Sequence, residues 1–244
     1  MKWSLDGVKK LQQKKYRMES GYFIAEGEHL LQELSKAALQ QPALRAAQVF
    51  LTQADEQVAG QFSTQLISAA QMAKISDTPS PQGVLAVLPM AALLDGKRDQ
   101  PARHVFYFHE IQDPGNLGSI LRTLAWFGDC RCLLSPGSVD PFNPKVVRAS
   151  MGAIFHVPLE TDVALASLPQ RFSHIACLDM AGTPVSDAAF QNFDAYVFGN
   201  EARGVPREAL QALGAEAFTI AGSGRIESLN LAVSVALCAY ELQR

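Results

Sequence analysis

No stretch of the sequence is apolar for long enough to cross a membrane. The closing run, Ser228 to Tyr240, holds 13 uncharged residues, against the roughly 17–25 that a spanning helix needs. Asn230 and Ser234 interrupt it, so it reads as a buried helix of a soluble protein. Behind Lys2 there is no apolar core of the kind that marks a secretory signal. Cysteine is scarce: Cys130, Cys132, Cys177 and Cys238. The Cys130-Arg131-Cys132 spacing is not that of a zinc site, and no His or Cys pair nearby completes one. Three of the four lie in apolar runs, which suits buried thiols in a reducing cytoplasm. Disulfides and a metal are therefore not expected. There is no internal repeat, no low-complexity tract and no GxGxxG, whose absence removes the dinucleotide-binding fingerprint. Only 18% of residues are charged and the net charge is −3, so the chain as a whole is not a basic nucleic-acid coat.

What is present reads as a folded α/β protein. Apolar residues make up 48% of the 244, enough for one large core or two smaller ones. Charge is uneven. Lys2, Lys9, Lys10, Lys14, Lys15 and Arg17 face only Asp6 and Glu19 among the first twenty residues. This is either a phosphate-contacting arm or a solvated helix face. Up to about residue 92 the apolar pattern alternates between strands, such as "AAQVFLT" at 46–52 and "QGVLAVLPM" at 82–90, and a helix with Leu30, Leu31, Leu34 and Ala37 on one side. The stretch "LLDGKRDQPARH" at 93–104 has linker composition. Beyond it strands and helices alternate: strands at 104–111, 130–135, 154–159, 173–180, 195–200 and 217–222, and helices at 116–128, 143–153, 207–213 and 228–242. Such alternation implies a mostly parallel sheet with helices on both faces, whose ligands bind beyond the carboxyl ends of the strands.

Three polar loops fall at such ends. "HEIQDPGNLGSILRT" (109–123) places Asn116, a good N-cap, at a helix start and Arg122 less than two turns further on. A helix mouth there attracts an anion, which the guanidinium can clamp; the plain alternative is a capped helix with an exposed Arg. "VFGNEARGVPRE" (197–208) and "TIAGSGRIESLN" (219–230) are glycine-rich strand-to-helix loops. Ser228 suffices as the cap of the last helix, whereas Asn230, two residues inside it, needs partners for its amide. His109, His156 and His174 read as core or strand-end residues, and Tyr107, Phe108, Trp126 and Phe127 as core aromatics.

Taken in order, the loops resemble the three signature motifs of the SpoU (TrmH-like) RNA ribose 2′-O-methyltransferases. Asn116, Gly118, Arg122 and Thr123 match the first, Gly199, Asn200, Glu201 and Gly204 the second, and Ser228, Leu229 and Asn230 the third, over about 115 residues. The third departs in having Ala221 after Ile220, where the family commonly has Pro, and in carrying Ser223 and Gly224. Upstream, the basic opening followed by "FIAEGEHLLQE", and the segment "SPQGVLAV", resemble the family's N-terminal substrate-binding domain, so the likeness spans nearly the whole chain.

The resemblance implies an RNA substrate-binding domain at 1–92, a linker at 93–103 and a catalytic domain at 104–244 whose end is threaded into a deep trefoil knot. It implies S-adenosylmethionine as cofactor, held by Gly199, Asn200, Ile220, Gly222 and Leu229. The reaction implied is methylation of a ribose 2′-OH, in ribosomal RNA, with transfer RNA as the alternative. Arg122 is then the phosphate clamp and oxyanion stabiliser, or, in a rival mechanism, a deprotonated base. Asn116 and Glu201 orient Arg122 or the nucleotide, and Ser228 and Asn230 brace the loops. The family's homodimeric, cytoplasmic habit is implied too, the partner covering the apolar face of the last helix. The contrasting reading is a non-catalytic RNA-binding assembly factor on the same fold.

Overall fold

A computed structural model describes residues 2–94 and 102–244. The expected linker lies largely at 95–101, outside the described residues. The chain forms two compact units, one of Met1–Lys97 with Asp140–His156, the other of Arg98–Val139 with Val157–Arg244.

The first unit opens with α1 (Leu5–Lys10) and α2 (Lys14–Ser20), then β1 (Tyr22–Glu26), α3 (Glu28–Gln40), β2 (Gln48–Leu51), α4 (Glu56–Gln61), β3 (Ser63–Leu66), α5 (Ala69–Ile75), β4 (Val84–Pro89) and α6 (Ala91–Leu94). Its sheet runs β1-β4-β2-β3, with only β2 and β3 parallel. Local rules explain the helix starts. Ser4 caps α1 by accepting from the Gly7 N–H, and Ser68 with Gln71 forms a capping box on α5. The predicted face of α3 buries Leu30, Leu34 and Ala37. Gln12 ties the α1–α2 turn to α5 by donating to the carbonyls of Ile75 and Ser76.

Arg17 departs from the expected basic arm. It is fully buried, donating from Nε (2.9 Å) and Nη2 (2.5 Å) to Asp140 and from Nη1 to the Leu11 and Gln12 carbonyls. A buried guanidinium is tolerated only when its charge is paired and its N–H groups are bonded, and Asp140 supplies that charge from far along the chain.

The rest of the chain runs β5 (His104–Phe108), α7 (Pro114–Phe127), β6 (Cys130–Leu134), α8 (Pro144–Ala149), β7 (Leu159–Glu160), β8 (Ile175–Pro184), β9 (Ala195–Phe198), α9 (Arg207–Leu213), β10 (Glu216–Thr219) and α10 (Leu231–Glu241). Of these, α8 belongs to the first unit and packs on β1. The others form a six-stranded sheet ordered β10-β8-β9-β5-β6-β7, parallel at every pairing. Side chains alternate between its faces. Val105, Tyr107, Ala195 and Val197 pack against Leu213 of α9. Phe106, Phe108, Tyr196 and Phe198 form an aromatic ladder, with Phe106 and Phe198 stacked at 5.9 Å. Burial on both faces is what a parallel sheet requires.

Two further expectations fail. The segment 154–159 is not a strand: Ala153–Phe155 makes a 3₁₀ turn and pairing starts only at Leu159. Gly152, at φ +88°, turns the chain sharply there, and a short buried apolar run cannot by itself distinguish a strand from a buried turn. Tyr107 and Phe108 are core, but Trp126 is 85% exposed. All four cysteines are free and buried. Burial pushes the Cys130, Cys177 and Cys238 thiols up to about 12 and Cys132 further still, so none is a thiolate at neutral pH.

Candidate functional site

Strands β5 and β9 end level with each other, Phe108 opposite Phe198, and the first two polar loops leave from these ends. The first loop turns at Glu110, which has φ +50°. Its N–H donates to Ser135 Oγ (2.7 Å) beyond β6, and Gln112 Nε2 bridges the carbonyls of Glu110 and Gly137. Helix α7 then starts at Pro114, and its cap is Asp113, not Asn116: Asp113 Oδ1 accepts from the Asn116 N–H at 2.7 Å. Proline has no N–H to be satisfied and suits the first helical position, which puts the cap one residue earlier. Asn116 is thereby left with a free side-chain amide.

The second loop, at the end of β9, is a tight ring. Asn200 and Gly204 exchange main-chain hydrogen bonds (3.1 and 2.8 Å), and Asn200 Oδ1 accepts from the N–H groups of Ala202 and Arg203. Gly204 sits at φ +65°. Gly199 is packed so closely that a Cβ would lie 2.5 Å from the Gly204 carbonyl carbon. Asn200, itself buried, donates to the Glu110 carbonyl at 2.7 Å. Glu201 crosses to the mouth of α7, where its carboxylate accepts from the main-chain N–H of Gln112 (3.2 Å) and Asp113 (3.3 Å) and from Asn116 Nδ2 (3.3 Å). The anion expected at that mouth is thus supplied from within the chain.

The third loop corrects the reading of Ser228. The cap of α10 is Asn230, whose Oδ1 accepts from the N–H groups of Ala232 (2.9 Å) and Val233 (3.3 Å). Ser228 lies before the helix in an exposed stretch, Ala221–Asn230. Asn230 is therefore not an amide stranded inside a helix. Its oxygen caps, and its Nδ2 donates to Asn116 Oδ1 at 2.9 Å. Asn116 thus joins Glu201 on one side to Asn230 on the other, one residue from each loop.

An open cleft of about 500 Å³ lies over this junction, lined by Gln112, Asp113, Asn116, Asn200, Glu201, Ala202 and Asn230. Of the residues singled out in the sequence, four meet here. Arg122 does not line the cleft; it is exposed on α7, about 120° around the helix axis from Asn116. Gly199 underlies the second loop, Ile220 follows β10, and Gly222, Ser228 and Leu229 stand in the exposed third loop without lining the cleft. Gln112, Asp113 and Ala202 were missed. The Asp-Pro pair was the available signal for Asp113; nothing marked Gln112 or Ala202. Two carboxylates and four amide side chains line the cleft, with no cation among its lining residues. Among the described residues no cluster of His, Cys, Asp and Glu could hold a metal ion, and no helix is long and apolar enough to cross a membrane.

Residues 103–240 match the SpoU rRNA methylase family, and residues 6–86 match the MRM3-like substrate binding domain. The chain is 30% identical over 250 residues to the 23S rRNA (guanosine(2553)-2′-O)-methyltransferase RlmP of Bacillus subtilis, covering 96% of this chain and 94% of that one. It is 32% identical over 252 residues to an uncharacterized tRNA/rRNA methyltransferase of Synechocystis, covering 97% and 89%. The structure of an AdoMet-bound rRNA methyltransferase from Sinorhizobium meliloti superposes with a TM-score of 0.84 at 26% identity, covering 98% and 93%. With its three polar loops converging at the ends of a parallel sheet, and a family match across more than half its length, the chain belongs to the SpoU rRNA methylase family.

Proposed function

We propose that the protein transfers a methyl group from S-adenosylmethionine to a ribose 2′-OH of ribosomal RNA, as a cytoplasmic homodimer. The observation that carries this reading is the Glu201–Asn116–Asn230 chain of hydrogen bonds, which joins all three motif loops at one cleft. The Bacillus subtilis relative, named for 23S rRNA, and the match to a substrate-binding domain favour ribosomal RNA. The Synechocystis relative's name keeps transfer RNA as the second reading.

The third loop fits such a cofactor. Main-chain groups of Ile220–Leu229 form no hydrogen bonds with other described main-chain groups, so they remain available to an adenine edge. A Cβ on Gly222 would have nothing within 4 Å, which leaves open space beside it. In this reading Gly199, Asn200, Ile220, Gly222 and Leu229 hold the cofactor, which supplies an electrophilic sulfonium methyl. Asn116, Glu201, Ser228 and Asn230 set the loops. Arg122 clamps the phosphate beside the target ribose and stabilises the oxyanion that develops as the 2′-OH loses its proton. A guanidinium does not accept a proton at neutral pH, so the phosphate relays it. Since Arg122 points away from its own cleft, a second copy has to bring the two together. The exposed Val233, Leu237 and Tyr240 of α10 supply an apolar face for that copy. The same family reading takes the closing segment as the threaded part of a trefoil knot.

The test is a map of 2′-O-methyl groups in rRNA and tRNA from cells lacking the protein. We expect one rRNA methyl to vanish and to return with the native chain but not with Arg122→Ala, which should still bind S-adenosylmethionine. Loss confined to tRNA would favour the second reading. An unchanged map in both pools would overturn the proposal. Single-turnover chemistry at the native rate in Arg122→Ala would remove that residue from the mechanism.

A further inference from the structure

Glu110 is in an unusual position. It adopts φ +50°, a left-handed conformation that glycine and asparagine accept readily and glutamate does not. A glycine there would serve the turn alone, so the side chain invites an explanation. Its carboxylate Oε2 accepts from Arg203 Nη2 at 2.6 Å, and Arg203 belongs to the ring of the second loop. The Glu110 carbonyl also receives Asn200 Nδ2 at 2.7 Å and Gln112 Nε2 at 2.9 Å. Two residues before Arg203, Glu201 reaches the opposite way, onto the N–H groups of Gln112 and Asp113. Each loop therefore places a carboxylate on donors of the other, two residues apart on each side.

We propose that Glu110 and Arg203 are positioning residues: their ion pair completes a reciprocal clasp that locks the second loop to the first and so fixes where Glu201, Asn200 and Gly199 stand. The inference rests on the methyl-transfer reading above. Neither residue lines the cleft; both act through the loop they hold. The pair is partly solvent-exposed, its side chains 37% and 70% accessible, so its contribution to overall stability is small. Its effect belongs to geometry, where a misplacement of about 1 Å can cost on the order of a hundredfold in rate. The charge-assisted bond is directional and ties Arg203 to the first loop as Glu201 ties to Gln112 and Asp113.

The experiment uses the full chain with an rRNA substrate and measures S-adenosylmethionine affinity, kcat, KM and melting temperature. Glu110→Gly relaxes the backbone while deleting the carboxylate, so a purely conformational role predicts native or better behaviour from it. The clasp predicts instead a fall in kcat/KM of about tenfold to a hundredfold for Glu110→Gly and Arg203→Ala, together with weaker S-adenosylmethionine binding, since the displaced loop carries Gly199 and Asn200, and with the melting temperature nearly unmoved. Arg203→Lys, which keeps the charge, should stay within about threefold of the native chain. The exchanged pair Glu110→Arg with Arg203→Glu should recover most of what either exchange alone loses, the non-additivity expected of residues in contact. Native kcat/KM in Glu110→Gly or in Arg203→Ala, or no recovery in the exchanged pair, would overturn the clasp. An inactive native chain would instead count against the methyl-transfer reading on which the clasp rests.

Discussion

Gly199 has no room for a side chain: an added Cβ would meet Gly204 and the Val205 nitrogen within 2.8 Å. These are main-chain atoms of a closed ring, which cannot yield as a flexible side chain can. Gly199→Ala should therefore push the second loop off its seat and weaken S-adenosylmethionine binding by about tenfold or more, which is about 1.4 kcal/mol. Calorimetric titration checks this, and an unchanged affinity would show that the ring's position does not matter to the cofactor. Gly199, Asn116, Glu201 and Asn230 were legible in the sequence as motif members, but their partners were not. Asn116 looked like a cap because asparagine caps helices well; proline at 114 transfers that task to Asp113 and releases the Asn116 amide for Glu201 and Asn230. Ser228 was misread for the same reason, since both Ser228 and Asn230 are good caps and spacing alone does not choose between them.

Helix α10 is apolar on two sides. Val235, Cys238 and Ala239 are buried in its own unit, while Val233, Leu237 and Tyr240, at i, i+4 and i+7, form an exposed stripe. The sequence made the run's apolar character plain but not this division, because a helix apolar all round has no periodicity from which to read its inner face. The double change Val233→Lys with Leu237→Glu leaves the buried side intact. It should convert the proposed dimer into a folded monomer, seen as a halved mass in light scattering. A native chain that is itself monomeric would refute this use of the stripe. The strands of the sheet were legible because each is a short, nearly continuous apolar run bounded by polar or glycine-bearing turns. The segment 154–159 was not, because its buried residues Ile154 and Phe155 serve a turn.

Over the whole molecule, charge is divided by task. The cleft carries carboxylates and amides but no cation, whereas RNA is a polyanion. Lys9, Lys10, Lys14 and Lys15 are exposed on and around α1 and α2, with the Lys10 and Lys15 ammonium groups 5.6 and 5.9 Å from the Tyr16 ring. Replacing all four lysines with alanine should weaken RNA binding at low salt. It should also flatten the dependence of log K on log salt by up to about 3–4, at roughly 0.7–0.9 per phosphate contact. S-adenosylmethionine affinity should not change. An unaltered slope would mean that this basic face is only solvated.

The buried Arg17–Asp140 pair joins residues 123 apart in the chain, and α8 lies in sequence between two strands of the other unit's sheet. The two units are therefore interleaved rather than strung in series. Any lineage that traded its first unit for another by a single crossover near residue 95 would inherit a guanidinium evolved for one carboxylate opposite a carboxylate evolved for another. Recombination that preserves the Arg17–Asp140 pair has to carry two separate segments together, so the first unit is tied in inheritance to the chain that surrounds its second segment.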